Sequence, residues 1–184
     1  MNFNYFKCAF LSSFLLLIAS CTEPVDFNQA EDLILEPVIE SSIIFYKATA
    51  GDFFTGGTEV NTASDFTEID IFSGSFINDN LIKVEFVFET KNSINRPYVL
   101  RVDFEDGANN ILETLTIETE ASPDNQVIEN TFTRTFEGSS LNNIKQSQFL
   151  RFTLTMLPGE AITPDSPGEI DVKSKGVFYF NVDL

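Results

Sequence analysis

From residue 42 onward, apolar residues recur at every second position. Ile82, Val84, Phe86 and Phe88 alternate with Lys83, Glu85 and Glu89. Tyr98, Leu100, Val102 and Phe104 alternate with Arg101, Asp103 and Glu105, and Leu150, Phe152, Leu154 and Met156 with Arg151, Thr153 and Thr155. A period of two, enriched in Val, Ile, Thr and Phe, predicts half-buried antiparallel strands. Further strands are expected over 42–48, 66–72, 111–119, 127–136 and 168–184, the last divided near Gly176. Asp106-Gly107-Ala108-Asn109-Asn110, Asn78-Asp79-Asn80, Ser122-Pro123-Asp124-Asn125 and Pro164-Asp165-Ser166-Pro167-Gly168 read as turns between them. One helical turn is expected over Ser139–Gln146, where Leu141 and Ile144 lie three apart. Many short strands with one apolar face stack into two layers. The expected fold is therefore all-β: an antiparallel β-sandwich of immunoglobulin-like architecture, with eight or nine strands over residues 37–184. A small membrane barrel would share the alternation, but its lumen has no room for most of the acidic excess and the aromatic girdle is missing.

The first twenty residues follow another rule. Lys7 precedes the apolar stretch Ala9–Ile18, the size of a secretory core and well short of the roughly 20 residues that span a bilayer. Ile18-Ala19-Ser20-Cys21 closes it. These four residues resemble the lipobox of bacterial lipoproteins, which implies cleavage after residue 20 and a lipid on Cys21. Residues 21–36, with Glu23, Asp26, Glu31, Asp32 and Pro24, read as an acidic tether. The stretch is similar to the acidic segment that follows the lipidated cysteine in surface lipoproteins of the Bacteroidota. The chain as a whole resembles the small lipoproteins of unknown function common in flavobacteria. That resemblance implies an outer-membrane, lipid-anchored location, with a membrane and another envelope protein as partners.

Charge and missing residue types narrow the chemistry. The formal charge is −17, and loss of Lys7 with the leader makes the mature chain one charge more negative, which excludes a nucleic-acid partner. There is no histidine and no tryptophan, so a triad, an imidazole shuttle and the commonest zinc ligand are all absent. Of the 2 cysteines, Cys8 leaves with the leader and Cys21 carries lipid. Stability must then come from the core, without a disulfide.

The remaining candidates are weighed against simple structural roles. Glu85 with Glu89, or Asp103 with Glu105, would stand about 7 Å apart along a strand, within the range of inverting glycosidases. The same spacing arises wherever charges alternate on a solvated face, and no enzyme is expected. No metal or other cofactor is expected either; Asp103, Glu105, Asp106, Asn109 and Asn110 form the one calcium candidate, and their order departs from EF-hand spacing. Two aromatic clusters exceed what one core face needs: Phe53 and Phe54 in a glycine-flanked loop, and Phe178, Tyr179 and Phe180 beside Val177. These five are candidates for a partner surface. The expected function is a non-catalytic accessory module of an outer-membrane complex, the alternative being a surface module that binds glycan or calcium. Cys21→Ser should abolish incorporation of a labelled fatty acid and release the protein from membranes; a membrane-bound, processed Cys21→Ser protein would contradict the anchor.

Overall fold

In the computed structural model, which describes residues 34–183, the alternation becomes two stacked four-stranded sheets. Cys21, the leader at 1–20, most of the 21–36 tether and Leu184 lie outside the described residues. Regular structure is already present at β1 (Ile34–Leu35), ahead of the boundary expected at 37. The first sheet contains β2 (Val38–Thr49), β6 (Leu81–Asn92), β9 (Ile128–Glu137) and β11 (Glu169–Phe180). The second contains β5 (Thr62–Glu68), β7 (Tyr98–Glu105), β8 (Ile111–Thr119) and β10 (Phe149–Met156). The two-residue strands β3 (Phe54–Thr55), β4 (Thr58–Glu59) and β12 (Val182–Asp183) complete the set. Helix α1 (Ser75–Asn80) leads into β6, and α2 (Gly138–Ile144) follows β9, close to the expected helical turn. None of these helices is long and apolar enough to cross a membrane.

The strand order corrects the expected architecture. It runs β2-β11-β6-β9 in one sheet and β5-β10-β7-β8 in the other, with every ladder antiparallel. Of the long strands consecutive in sequence, β7 and β8 alone share a sheet; every other connection crosses between layers. An immunoglobulin-like sandwich keeps several sequential pairs side by side within a sheet. This order is instead the eight-stranded, double Greek-key jelly roll. Alternation along single strands carries no information about which strands pair, so both sandwiches share one sequence pattern.

The core fills the space between layers. Phe86 is 1% exposed and meets Phe104 of the facing sheet at 5.0 Å between ring centroids, with Phe136 at 5.9 Å and Phe178 at 6.3 Å. All three contacts are edge-on, the arrangement that aromatic quadrupoles favour. Ile82, expected on the same face as Phe86, is half exposed. The β6–β11 register slips between Tyr179, opposite Lys83, and Phe180, opposite Leu81, so Leu81 takes the inward place. β11 runs unbroken through Gly176, whose bare Cα leaves room for the Phe178 ring; a Cβ there would stand 2.6 Å from it.

One end of the sandwich is tied by buried polar groups. The Asn92 amide donates to the carbonyls of Arg96 at 2.8 Å and Glu120 at 2.7 Å, and its oxygen accepts from the Ile94 N–H at 2.9 Å. Arg96 Nε donates to the Leu157 carbonyl at 2.7 Å and Nη2 to Glu59 at 3.0 Å, joining three segments distant in sequence. Gly168, at φ +100°, lies against the Ser93 carbonyl, where any side chain would clash. Phe86→Ala should cost about 3–5 kcal/mol in chemical denaturation, because three surrounding rings cannot all collapse into the space left; a loss below about 1 kcal/mol would contradict the ring cluster.

Candidate functional site

The five oxygen-bearing residues of the β7–β8 hairpin do not converge. Asp103 and Glu105 point away from the core on β7, and both are 4% exposed because arginines cover them. Asp103 accepts from Arg101 Nε at 2.9 Å and Thr114 Oγ1 at 2.6 Å. Glu105 takes Arg151 as a fork, Nε at 2.8 Å and Nη2 at 3.1 Å. Asp106 folds inward on the turn, accepting the N–H groups of Ala108 and Asn110 at 2.8 Å each and the Asn110 amide at 2.9 Å. Asn109 supplies the left-handed residue of the turn, at φ 62°. Among the described residues no group of three or more His, Cys, Asp or Glu side chains could hold a metal ion.

The candidate partner surface is mostly core, which corrects that expectation. Phe53 is buried against Tyr98, ring centroids 5.2 Å apart, and Phe54 is half-buried. Phe178 and Phe180 face inward on β11 and are buried. Tyr179 faces outward, donating its hydroxyl to Glu85 at 2.9 Å, with Lys83 Nζ 3.7 Å from its ring centroid. Val177 shares the outer parity of Tyr179 and is buried there, opposite Glu85 of β6.

The exposed aromatic residues lie elsewhere. Phe66 on β5 is 57% exposed and stands edge-on to Phe149 of β10, with centroids 6.3 Å apart. The Arg151 guanidinium lies 5.6 Å from the Phe66 ring centroid, so one cation is shared between an aromatic face and the Glu105 carboxylate. Arg101 stands one row along on β7, held by Asp103, and a Ser64–Thr153 hydroxyl pair at 3.2 Å borders the group. Two guanidiniums and two carboxylates make this part of the face charge-balanced. Planar forks locked in this way lose little further entropy when they hydrogen-bond a ligand. Among the described residues nothing accepts from Arg101 Nη1 or Nη2 or from Arg151 Nη1. The sequence carried a trace of the site, since Phe66 is the one apolar residue sharing a parity with Thr62, Ser64 and Glu68. Expecting the strand over 66–72 instead of Thr62–Glu68 concealed it.

Beside Phe66 the sandwich is open. A cavity of about 290 Å³ lies between β2 and β5, the edge strands of the two sheets. Leu100, Phe152, Leu154 and Val172 floor it, and Phe45, 70% exposed, forms the lip opposite Phe66. Asp65 stands in its lining, with Oδ1 accepting the Phe66 N–H at 2.8 Å. Tyr46 also lines it, and burial, then Asp52 and Asp65, raise the pKa of its phenol.

These features define the class: a double-sheet jelly roll with an exposed aromatic–arginine face and an open edge. No family model matches the chain, and no curated protein matches it. Among solved structures it is similar to the infectious bursal disease virus VP2 subviral particle protein, at 11% identity and TM-score 0.42 over 88% of this chain and 42% of that one. It is also similar to the Desmodium yellow mottle tymovirus protein, at 12% identity and TM-score 0.31 over 89% of this chain and 95% of that one. A third likeness is to dimeric latent PorU from Porphyromonas gingivalis, at 10% identity and TM-score 0.35 over 82% of this chain and 13% of that one. The chain spans less than half the length of the VP2 chain it matches. The immunoglobulin-like architecture expected for an outer-membrane lipoprotein is corrected by the strand order, which is that of a jelly roll. At these scores the likenesses carry no argument about function.

Three carboxylates have pKa values held below the ordinary range. Asp106 is lowered by the Asn110 amide and then its N–H, Asp52 by the Thr49 N–H and then its hydroxyl, and Glu85 by Lys83 and then the Tyr179 hydroxyl. A depressed carboxylate contributes stability above its unfolded pKa and loses it as pH falls through the folded value. The urea midpoint should therefore hold steady from neutrality down to about pH 5 and fall below about pH 4. Asp106→Asn should make that acid-side fall shallower; an unchanged slope would count against the Asp106 turn.

Proposed function

We propose that this chain is a non-catalytic surface binding module that presents the Phe66 face to a neutral glycan and is held at a membrane by lipid on Cys21. The observation that carries the reading is an exposed ring next to an arginine already fixed by a carboxylate. A pyranose offers an apolar C–H face, which an exposed phenylalanine can cover, and a rim of hydroxyls that need planar donors and acceptors nearby. Phe66 and Phe149 supply the first, and Arg151, Arg101, Ser64 and Thr153 the second. The charge balance of the site and the −17 charge of the chain favour a neutral polymer over an anionic one.

Calcium drops out of the reading, because Asp103 Oδ1 and both oxygens of Glu105 and of Asp106 are taken by arginine, threonine and turn donors, and the five residues do not converge. Catalysis by the Asp103–Glu105 pair drops out likewise. Arg101 and Arg151 cover the two carboxylates, and the chain has no histidine to act beside them. The lipid anchor rests on Ile18-Ala19-Ser20-Cys21 and not on the fold.

Affinity electrophoresis in gels containing a soluble neutral β-glucan, mannan or xylan tests the reading, with alginate as the anionic control. Retardation is expected on at least one neutral polymer. Phe66→Ala should weaken it about tenfold, roughly 1.4 kcal/mol, with an unchanged melting temperature. Free migration in every neutral gel, or an unaffected Phe66→Ala protein, would overturn the proposal.

A further inference from the structure

We infer that the groove between the free edges of β2 and β5 accepts an extended cationic peptide, which joins the first sheet as a strand beside β2. The groove borders the Phe66–Arg151 face and shares Ser64 and Phe66 with it at one end, but the inference uses neither side chain and stands without the glycan reading. Three depressions run together along this side. The first, about 290 Å³, shares Ile43 and Thr67 with a second of about 230 Å³, floored by Phe86 and Phe178. The second shares Glu68, Ile69, Asp70 and Phe72 with a third of about 300 Å³, which ends at Lys145–Gln148. From Ala63 to Asp70 the strand rise gives a length of about 23 Å, the reach of a short extended segment.

The two open edges differ. On β5 the Phe66 N–H is already taken by Asp65, and an acidic side chain turned toward the gap is a common guard on an edge strand. β2 has β11 as its sheet neighbour on one side, and among the described residues no strand pairs with its other side. It is 12 residues long and carries the half-buried Ile43 and Ile44 at the groove. The opposite side of the sandwich is bridged by Arg134–Glu113 at 3.2 Å and by the Asn130 amide to the Glu118 carbonyl at 3.1 Å. Among the described residues no hydrogen bond or ion pair joins β2 to β5.

Charge selects the occupant. Asp65, Glu68 and Asp70 line the groove and are exposed. The one cation in the lining, Lys145, is turned into the protein, where it donates to the carbonyls of Asn78 at 2.9 Å and Leu81 at 3.0 Å. An apolar floor beneath an acidic rim suits a strand that alternates apolar with Lys or Arg side chains, its backbone pairing with β2.

The probe is a blocked decapeptide alternating Val and Lys, titrated into the full chain at low salt and followed by fluorescence anisotropy and amide hydrogen exchange. Micromolar binding is expected, weakening steeply with salt and slowing exchange across Ile39–Tyr46. Glu68→Lys with Asp70→Lys should lower affinity at least about tenfold; neither side chain holds a hydrogen bond among the described residues, so the fold should be kept. Alternate N-methylation of the peptide, which preserves charge but removes its donors, should abolish the protection of β2. The inference is overturned if a Val–Glu peptide binds equally well or if protection appears away from β2. It is also overturned if β2 is protected without peptide in proportion to protein concentration, the sign of a second copy in the groove, or if a neutral oligosaccharide protects β2 instead.

Discussion

Phe86 touches rings from both layers, and much of the molecule is arranged to keep that contact dry. Its sheet neighbours, β11 and β9, bring Phe178 and Phe136, and the facing sheet brings Phe104 through β7. Burying four large rings at one point fixes which parity of each strand faces inward. Once the parity is set, a register slip of one residue would turn every ring out to solvent. The slip between Tyr179 and Phe180 shows how the sheet preserves that rule: Ile82 is expelled and Leu81 takes its place. The described residues contain no cysteine, so no disulfide shares this task.

Where the rings end, polar groups take over. Asn92 and Arg96 fasten the connections at the β6–β7 end by hydrogen-bonding carbonyls that hairpins would otherwise satisfy. A jelly roll needs such fastenings because most of its connections cross between sheets, leaving few short turns to fix the ends. The fastenings are unevenly placed. One end is pinned and the β8–β9 side is bridged, while the β2–β5 side depends on apolar packing beneath a gap. The gap on that side therefore comes from the topology, which leaves β2 and β5 at sheet edges as it does β9 and β8, and from the lack of a bridge between β2 and β5 among the described residues.

The strands themselves were largely legible. β8 falls at Ile111–Thr119 as expected, and the inward set Tyr98, Leu100, Val102 and Phe104 follows from alternation alone. Sheet order was not legible, because it depends on contacts between residues far apart in sequence. Phe178 and Phe180 were misread because Val177 is buried on the outer side of its strand, which looks like a lost alternation. Asp103 and Glu105 were placed on the right face, yet nothing in their own strand says that Arg151, some forty-six residues later, would roof one of them. Phe66 and Phe45 were missed for related reasons. The first sits in a strand whose start reads as polar loop, and the second in the run Ile43–Tyr46, where a bulge near Ser174 conceals the period.

The two outer faces use their cations differently, and this separates a solvated surface from an organised one. Lys47, Lys83, Lys91, Lys173 and Lys175 stand on the outer face of the first sheet, paired with Glu169, Glu85, Glu129, Asp171 and Glu40. Most of these pairs are well exposed, and such lysine pairs contribute about 0–1 kcal/mol while remaining free to rearrange. The second sheet carries Arg101 and Arg151 instead, on carboxylates that are almost fully buried. A guanidinium held by a buried carboxylate keeps one orientation and offers its remaining N–H groups outward in fixed directions. With Phe66 and Phe149 beside it, this is the face on which a ligand would find its partners already in place, whereas the lysine face presents pairs that solvent can rearrange.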